Sequence, residues 1–357
     1  MHWCMKSAQT ALLALALAGA GFPTLASAQK YSQKNLVSDV PGRAATPDSN
    51  LVNAWGMAFS ATSAVWVADN GTGVSTLYTG SGSIVPLVVT IPGPQGSTDH
   101  SAPTGIVFNG NGGFTVTGNG TSGPSVFIFV TEDGTISGWN PGVDLHNAIR
   151  MVDNSGMEAV YKGLAIGTTD KGTFIYATNF RSGWVEIYDS NFEWVKNFTD
   201  WDLPRGYAPF GIRTINGKLY VTFALQDEDK EDDVAGPGHG FVDVFDLNGN
   251  KLKRLISHGE LNSPWGLALA PSNFGKFSET LLVGNFGNGH INAFNINTGG
   301  ARGHMLRPNG RTLEINGLWG LAFGTGGASG PTNTLLFTAG PDDESHGLFG
   351  TITVVSK

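Results

Sequence analysis

The sequence predicts an all-β fold, a six-bladed β-propeller whose blades are four-stranded antiparallel sheets. The first observation is a short motif, a glycine followed by apolar residues, which recurs at spacings of 48 to 58 residues. The repeated glycines are Gly56, Gly105, Gly163, Gly211, Gly266 and Gly320. Each interval is long enough for about four short strands and their turns. Six copies predict a radial array, because one such unit cannot bury both faces of its own sheet.

The second observation is that each repeated glycine is followed by another apolar run, which closes on a turn. Such runs are typical of antiparallel strands joined by tight turns. They cover Val65–Asp69, Val126–Thr131, Phe174–Thr178, Leu219–Ala224, Leu281–Gly284 and Leu335–Thr338. Five repeats also carry a fourth run, at Ile84–Ile91, Ala148–Val152, Val195–Phe198, Lys251–Ile256 and Gly303–Leu306.

The third observation concerns the closure of the ring. The last repeat has only three runs, ending with Gly350–Val355, whereas the N-terminal region holds one spare strand, Asn35–Val40. We expect Asn35–Val40 to pair with Gly350–Val355 and so to complete the sixth blade. Residues 29–357 then form a single propeller domain, since stacked repeats bury one continuous core. No sorting tail, anchor or second domain is expected after Lys357.

Met1–Ala28 has the composition of a secretory signal peptide. Lys6 precedes the apolar stretch Ala11–Ala20, and Ala26–Ala28 forms a small-residue cleavage site before Gln29. A membrane anchor is the alternative, but the apolar stretch is shorter than the roughly 20 residues that cross a bilayer. We therefore expect a secreted or periplasmic protein without a membrane span.

Cysteine and charge content exclude several classes of function. The single cysteine, Cys4, lies in the predicted signal peptide, so the mature chain has no thiol nucleophile, disulfide or thiolate metal site. The formal net charge is −8, and no basic cluster is present, which argues against binding to nucleic acid or anionic membranes. The sequence also contains neither a Gly-x-Ser-x-Gly elbow nor a Walker loop, so serine-elbow hydrolases and P-loop nucleotide sites are excluded.

Strand connectivity predicts which face of the ring carries the function. In an antiparallel meander, the start of the first strand and the turn after the second lie on one face, around the mouth of the central channel. Four strand starts carry an aromatic residue: Trp55, Phe210, Trp265 and Trp319. These rings either stack on a planar ligand or sugar or fill the gap between neighbouring blades. Their recurrence at one repeat position favours packing between blades.

The turns on this rim supply the predicted ligand-binding residues. They are Asn70, Glu132, Asn179, Arg181, Asp227 and Asn285. Each Asn or Asp taken alone is explained by the needs of a tight turn. Oxygen-bearing side chains from several blades around one axis, however, suit a hard cation or a polyhydroxylated ligand. Asn179, Asp227 and Asn285 are the predicted metal ligands, for Ca²⁺ or another divalent ion.

Three histidines fall on the same rim and are candidates for a general base or a metal ligand. They are His239, His290 and His346. None belongs to an i,i+4 pair or to an H-E-x-x-H motif, and each one alone is also explained as a polar loop residue.

Long stretches of the chain resemble a family of secreted bacterial conserved hypothetical proteins with NHL-like six-bladed propellers. The stretches that carry the resemblance are NLVSDVPG, DNGTGVSTLYTG, TEDGTISGWNP, YKGLAIG, RGYAPFGI, DDVAGPGHGFVDVFD, SPWGLALAP, LLVGNFGNG and FTAGPDDESHGLFG. They extend from about Gln33 to Val355. The resemblance implies the propeller fold and export from the cell, and it carries no catalytic residues over to this chain.

Two functions from different classes remain. The first is a monomeric binding module whose channel rim takes a small molecule, a glycan or an envelope protein. The alternative is a divalent-metal-dependent hydrolase of the lactonase or esterase type, or a lyase, with the metal as Lewis acid at the channel mouth. Six-bladed propellers with calcium-dependent lactonase chemistry support the alternative by analogy of fold only. Because no catalytic constellation is recognisable, the binding module is favoured, and whether the protein is an enzyme stays open.

Overall fold

A computed structural model describes Met1 and residues 29–355, and this part of the chain is built almost entirely of β-strands. Apart from Met1, the predicted signal peptide lies outside the described residues. Two strands precede the first repeated glycine: β1 (Tyr31–Ser38) and β2 (Thr46–Pro47).

Six sheets, called blades 1 to 6, follow in chain order. Blade 1 consists of β3 (Ala54–Ala58), β4 (Val65–Asp69), β5 (Val74–Tyr78) and β6 (Ile84–Thr90). Blade 2 begins with β7 (Pro103–Phe108), carries the small hairpin β8 (Thr115–Gly118) and β9 (Thr121–Pro124), and continues with β10 (Phe127–Thr131), β11 (Thr135–Trp139) and β12 (Ile149–Asp153). Blade 3 consists of β13 (Tyr161–Thr169), β14 (Gly172–Asn179), β15 (Trp184–Tyr188) and β16 (Trp194–Phe198).

The remaining three blades repeat this plan. Blade 4 consists of β17 (Tyr207–Ile215), β18 (Lys218–Leu225), β19 (Phe241–Phe245) and β20 (Lys251–Ser257). Blade 5 consists of β21 (Pro264–Leu269), β22 (Thr280–Asn285), β23 (Ile291–Asn295) and β24 (Ala301–His304). Blade 6 contains β25 (Leu318–Phe323), β26 (Leu335–Ala339) and β27 (Leu348–Val354).

The blades are arranged in a closed ring. The first strand of each blade lies at the inner edge, and it contacts the first strand of the next blade all the way round, including β25 with β3. Within each blade the strands are antiparallel and hydrogen-bonded in chain order. The predicted six-bladed propeller of four-stranded antiparallel blades is confirmed.

The ring is closed by the N-terminal strand, as predicted. β1 pairs antiparallel with β27, from Tyr31 opposite Val354 to Ser38 opposite Leu348, and so becomes the fourth strand of blade 6. The observed strand begins four residues before the predicted Asn35 and ends two residues before Val40. Tyr31 anchors this end, because its buried ring stacks on Phe277 at a centroid distance of 5.5 Å.

The repeated glycines are required by the close approach of neighbouring blades. A Cβ atom on Gly266 would lie 2.5 Å from the backbone oxygen of Trp319 in the next blade, and one on Gly163 would lie 2.8 Å from that of Phe210. All six repeated glycines approach the backbone of the next blade in this way. Packing of the inner strands, rather than a positive φ angle, therefore explains the motif.

Two further elements complete the fold. The hairpin β8–β9 was not predicted from the sequence, and it occupies the longest of the intervals between repeated glycines. Helical structure in the described residues consists of two 3₁₀ turns, Ser155–Met157 and Gly275–Phe277. No described helix is long and apolar enough to cross a membrane.

Candidate functional site

The start of each inner strand lies beside the end of the second strand of its blade, as the connectivity predicts. The register pairs Ala54 with Asp69, Tyr161 with Asn179, and Pro264 with Asn285. The turns that follow the second strands therefore lie on the same rim as the strand starts.

Aromatic side chains fill the channel at the level of the strand starts. The ring of Trp55 stacks on Trp319 with centroids 3.6 Å apart, and Phe286 stacks on Trp319 at 3.9 Å. Trp265 meets Trp319 edge-on at 5.8 Å, and Phe210 is fully buried in the same cluster. These rings have a packing role, but they pack on one another across blades instead of filling separate gaps. We call this cluster the aromatic plug.

Lys162 of blade 3 stands immediately before a repeated glycine, where four other repeats carry an aromatic residue. Its side chain is 2% exposed, and it forms ion pairs with Glu132 of blade 2 and, at 3.1 Å, with Asp232 of blade 4. Its ammonium nitrogen also lies 5.2 Å from the ring centroid of Trp55 in the aromatic plug. Burial alone lowers the pKa of Lys162, but the two carboxylates outweigh burial and hold this pKa above its ordinary value. Lys162 is therefore charged at neutral pH.

Hydrogen bonds between amides and carboxylates extend this cluster to blade 6. Asn70 Nδ2 donates to Glu132 Oε2 at 2.7 Å, and Asn53 Nδ2 donates to Asn70 Oδ1 at 3.1 Å. Asn53 Nδ2 also donates to Glu344 Oε2 at 2.6 Å, while Asn53 Oδ1 accepts a bond of 3.1 Å from Trp319 Nε1. We call the linked residues the polar mouth: Asn53, Asn70, Glu132, Lys162, Asp232 and Glu344. They belong to five of the six blades and the loops that enter them.

Glu344 enters the polar mouth from a turn with unusual backbone geometry. Asp342, Asp343 and Glu344 have φ angles of +58°, +53° and +63°, a left-handed conformation that non-glycine residues seldom adopt. Such backbone strain is concentrated at functional sites in proteins. Burial raises the pKa of Glu344 to about 7, although the hydrogen bond from Asn53 opposes the rise. This carboxyl group can therefore hold or release a proton near neutral pH.

The acidic loop between β18 and β19 contributes Asp232 to the polar mouth and has contacts of its own. Asp227 Oδ1 accepts a bond of 3.0 Å from the backbone N–H of Glu231, so the predicted ligand Asp227 stabilises a turn of the loop. Arg181 pairs with Glu158 at 3.0 Å and with Glu231 at 3.2 Å. The guanidinium of Arg181 thus ties this loop to the preceding blades.

The other two predicted metal ligands are the last residues of the second strands of their blades. Asn179 Oδ1 accepts bonds from the backbone N–H groups of Val160 and Ser182, and its Nδ2 donates to Glu186 at 2.8 Å. Asn285 is fully buried and donates to the backbone oxygen of Glu260 at 2.8 Å.

No hydrogen bond in the described part of the chain joins Asn179, Asp227 and Asn285 to one another. Among the described residues, no group of three or more His, Cys, Asp or Glu side chains is arranged to hold a metal ion. Binding of Ca²⁺ or another divalent ion stays a prediction.

The three candidate histidines have separate surroundings. His346 Nδ1 lies 2.6 Å from Asp39 Oδ2, and His239 Nδ1 lies 2.8 Å from the backbone oxygen of Val234. The His290 ring lies 6.2 Å from that of His304, and burial lowers the pKa of His290. Their predicted roles as base or metal ligand remain untested.

Two of the predicted ligand residues, Asn70 and Glu132, are in direct contact, whereas Asn53, Lys162 and Glu344 were not among the predicted site residues. The sequence holds a signal for Lys162, because a cation replaces an aromatic residue at one repeat position. The sequence also places Glu344 in the rim turn of the sixth repeat, but it holds no signal for the three consecutive left-handed residues at the contact with Asn53.

No protein-family model matches the chain, but comparison with known proteins identifies relatives. An uncharacterised protein of Acanthamoeba polyphaga mimivirus, R648, is 33% identical over 326 residues, which is 89% of this chain and 78% of the viral protein. A second uncharacterised mimivirus protein, L690, is 33% identical over 330 residues, 89% of this chain and 84% of that protein. The chain belongs to the family of these two proteins. Since they are viral, they do not support the bacterial origin that the sequence resemblance implied.

Solved structures share the fold with this family. A streptogramin B lyase structure aligns with a TM-score of 0.53 at 13% identity, over 92% of this chain and 98% of that chain. A putative gluconolactonase aligns with a TM-score of 0.51 at 12% identity, over 92% and 93% of the two chains. The soluble aldose sugar dehydrogenase from Escherichia coli aligns with a TM-score of 0.52 at 12% identity, over 91% and 99%. Because the sequence identity is only 12–13%, these three alignments show a shared fold and nothing more.

Proposed function

We propose that the chain is a binding protein whose polar mouth takes a small polar ligand or a glycan with several hydroxyl groups. The observation that carries this proposal is the continuous network from Glu344 through Asn53, Asn70 and Glu132 to Lys162. Small-molecule sites typically combine a closed apolar floor with a few convergent polar groups. The aromatic plug and the polar mouth have this arrangement.

Packing alone does not account for the polar mouth. Four other repeats have an aromatic residue at the position of Lys162, and those residues help to close the channel. A buried ion pair adds little net stability, because the loss of hydration offsets the attraction between the charges. A ligand therefore explains the buried cation and its carboxylates better than the fold does.

The charges of the polar mouth indicate the chemistry of the ligand. The carboxylates of Glu132 and Asp232 pair with the single ammonium group of Lys162, and the carboxyl group of Glu344 belongs to the same network through Asn53; the side chain of Asp232 is 75% exposed. The excess of oxygen acceptors favours a ligand that donates hydrogen bonds, as sugar hydroxyls do. The side-chain amides of Asn53 and Asn70 can either donate hydrogen bonds to such a ligand or accept them from it.

Isothermal titration calorimetry with a panel of monosaccharides, sugar acids and sugar lactones tests this proposal. We expect wild type to bind a member of the panel. Asn70→Ala should weaken that binding by up to about tenfold, as expected for one lost hydrogen bond between neutral groups. Lys253→Met is a matched surface control, because Lys253 contacts only the backbone oxygen of Asn297 among its described hydrogen-bond partners. Equal binding by wild type and Asn70→Ala would contradict the proposal.

Glu344 favours a second candidate function, acid–base catalysis at the same mouth by a hydrolase or lyase. A carboxyl group whose pKa is about 7 is suited to proton transfer near neutral pH. The fold shared with a lyase and a putative gluconolactonase is compatible with this candidate. In this second proposal, a divalent cation such as Ca²⁺ bound at the channel mouth would assist the reaction as a Lewis acid. The side-chain oxygens of Asn179 and Asp227 already accept hydrogen bonds from backbone N–H groups, which does not favour them as its ligands.

Two measurements test the second candidate. Elemental analysis of the purified protein measures bound calcium and other metals. Hydrolysis of glucono-1,5-lactone, followed in a pH-stat with and without chelator, measures lactonase activity. If this candidate is right, Glu344→Gln should abolish turnover of the lactone, and unchanged turnover by that variant would exclude Glu344 as the acid or base.

A further inference from the structure

A cavity of about 420 Å³ lies farther along the channel from the strand starts, and its volume is within the range of small-molecule pockets. It is lined mainly by the middle and later residues of the inner strands, including Met57, Phe59, Ile106, Phe108 and Leu164. Trp265 of the aromatic plug also borders it. The wall is therefore mostly apolar, in contrast to the polar mouth.

Arg213 brings a positive charge into this apolar space. It belongs to β17 in blade 4, and its Nη1 donates a hydrogen bond of 2.8 Å to the backbone oxygen of Leu321 in blade 6. Because blades 4 and 6 are not neighbours in the ring, the side chain reaches across the channel. Arg213 is one of the residues that line the cavity, so its guanidinium is within reach of a ligand there.

The guanidinium has no anionic partner in the described part of the chain. No described carboxylate oxygen lies within 4.0 Å of its nitrogens, and no acidic residue lines the cavity. Thr214 is the other polar side chain of the lining, and its hydroxyl, which donates to the backbone oxygen of Ile166 at 2.8 Å, carries no negative charge. A guanidinium has five N–H donors, and the described hydrogen bonds use one of them.

The charge is poorly compensated by its surroundings. Burial lowers the pKa of Arg213, which is the effect of an environment that stabilises the cation less well than water does. An unpaired charge among apolar groups is unfavourable, and a ligand carboxylate would relieve this by forming two parallel N–H···O bonds with the guanidinium. The apolar wall would bury the rest of such a ligand.

We propose that the cavity binds a small amphiphilic anion, a molecule with one carboxylate on an apolar chain or ring. The carboxylate pairs with Arg213, and the apolar part lies along the inner strands. This site is separate from the polar mouth, because the aromatic plug lies between them and the two sites attract groups of opposite character.

Octanoate and octanol are matched probes for the test, because they share the chain length and differ in charge. Calorimetry on the wild-type protein should give an affinity for octanoate about tenfold or more above that for octanol, as expected for a charge-assisted hydrogen bond. Arg213→Met should lose this preference and still bind octanol. Arg213→Lys, which keeps the charge without the planar fork, should retain part of it.

Lys253→Met is the control, because it removes a surface cation and should bind octanoate as wild type does. Equal affinity of the wild type for the two probes would overturn the proposal, and so would full octanoate binding by Arg213→Met. A thermal melt establishes that each variant is folded. If Arg213→Met does not fold, the comparison of the two probes on wild type and Arg213→Lys decides the matter.

Discussion

Asn70 and Glu132, 62 residues apart in the chain, are joined by a hydrogen bond of 2.7 Å from Nδ2 to Oε2 across the boundary between blades 1 and 2. Both residues follow the second strand of their blade. The bond shows that equivalent turns of the repeat contact each other around the channel. Glu132 then continues the contact to Lys162 in blade 3, so the turn residues act as one network.

Replacing Lys162 by Met should destabilise the protein, because Glu132 would keep a partly buried charge without its partner. We expect a loss of about 3 kcal/mol in the free energy of unfolding, the lower end for a broken buried pair, since Asp232 is largely exposed. The double variant Lys162→Met with Glu132→Gln should recover much of this loss. Denaturant titration measures both.

Lys253→Met serves as the control for that experiment, with an expected change within about 0.5 kcal/mol, as for ordinary surface substitutions. A Lys162→Met protein as stable as this control would show that the ion pairs of Lys162 are unimportant for the fold. A double variant less stable than Lys162→Met would contradict the assignment of Glu132 as the unpaired group.

Glu344→Gln should change the pH dependence of stability. Its folded-state pKa of about 7 lies above the ordinary value of 4.5, so the folded protein holds a proton that the unfolded chain releases. The stability from this group is fully present below about pH 4.5 and is lost as pH rises towards 7. In the variant this loss should be smaller. Thermal melts of the wild type and the variant between pH 4.5 and 8 test this prediction. If the melting temperatures of the two proteins changed with pH in parallel, the prediction would be wrong.

Gly266→Ala should disturb the packing between blades 5 and 6. The added Cβ would lie 2.5 Å from the backbone oxygen of Trp319, and inner strands held in a closed ring have little room to move. We expect a loss of about 1–3 kcal/mol, as for other overpacked sites. Gly156→Ala is the control, because nothing lies within 4 Å of a Cβ there. Chemical denaturation compares the two variants, and equal stability would contradict the packing argument.

Removal of β1 should open the ring. Without residues 31–38, β27 becomes an exposed edge strand with unpaired backbone groups, which favours aggregation. The test compares a chain that starts at Gln29 with one that starts at Asp39. We expect the shorter chain to be insoluble or to melt at a markedly lower temperature. Unchanged melting of the shorter chain would mean that β1 is dispensable for the closed propeller.

The signal peptide predicted for Met1–Ala28 leads to a separate test. Expression in a bacterium with an intact export pathway should yield protein outside the cytoplasm whose first residue is Gln29 or a close neighbour. N-terminal sequencing of the purified protein measures this, and a chain that still begins at Met1 would disprove export by cleavage.

The sequence by itself determined the number of blades and the closure of the ring. Each repeat carries three local signals: a glycine before an apolar run, a second apolar run, and a turn. Because these signals recur six times along the chain, they predict six structural repeats. The spare strand before Gly56 and the missing fourth strand after Gly350–Val355 predicted the pairing of β1 with β27. These features depend on residues that are close in sequence or on a simple count of strands.

The tertiary structure alone shows which residues of the candidate site meet. Asn70 and Glu132 were predicted to share a rim, but the contacts of Asn70 with Asn53 and of Glu132 with Lys162 depend on which rotamers meet across blade boundaries. The position of Glu344 depends in addition on three consecutive residues in the left-handed conformation, none of which is a glycine. Arg213 likewise reads as an ordinary strand residue until the curvature of the ring brings it opposite Leu321. Contacts between distant repeats follow from the closed geometry of the propeller, which local sequence patterns do not encode.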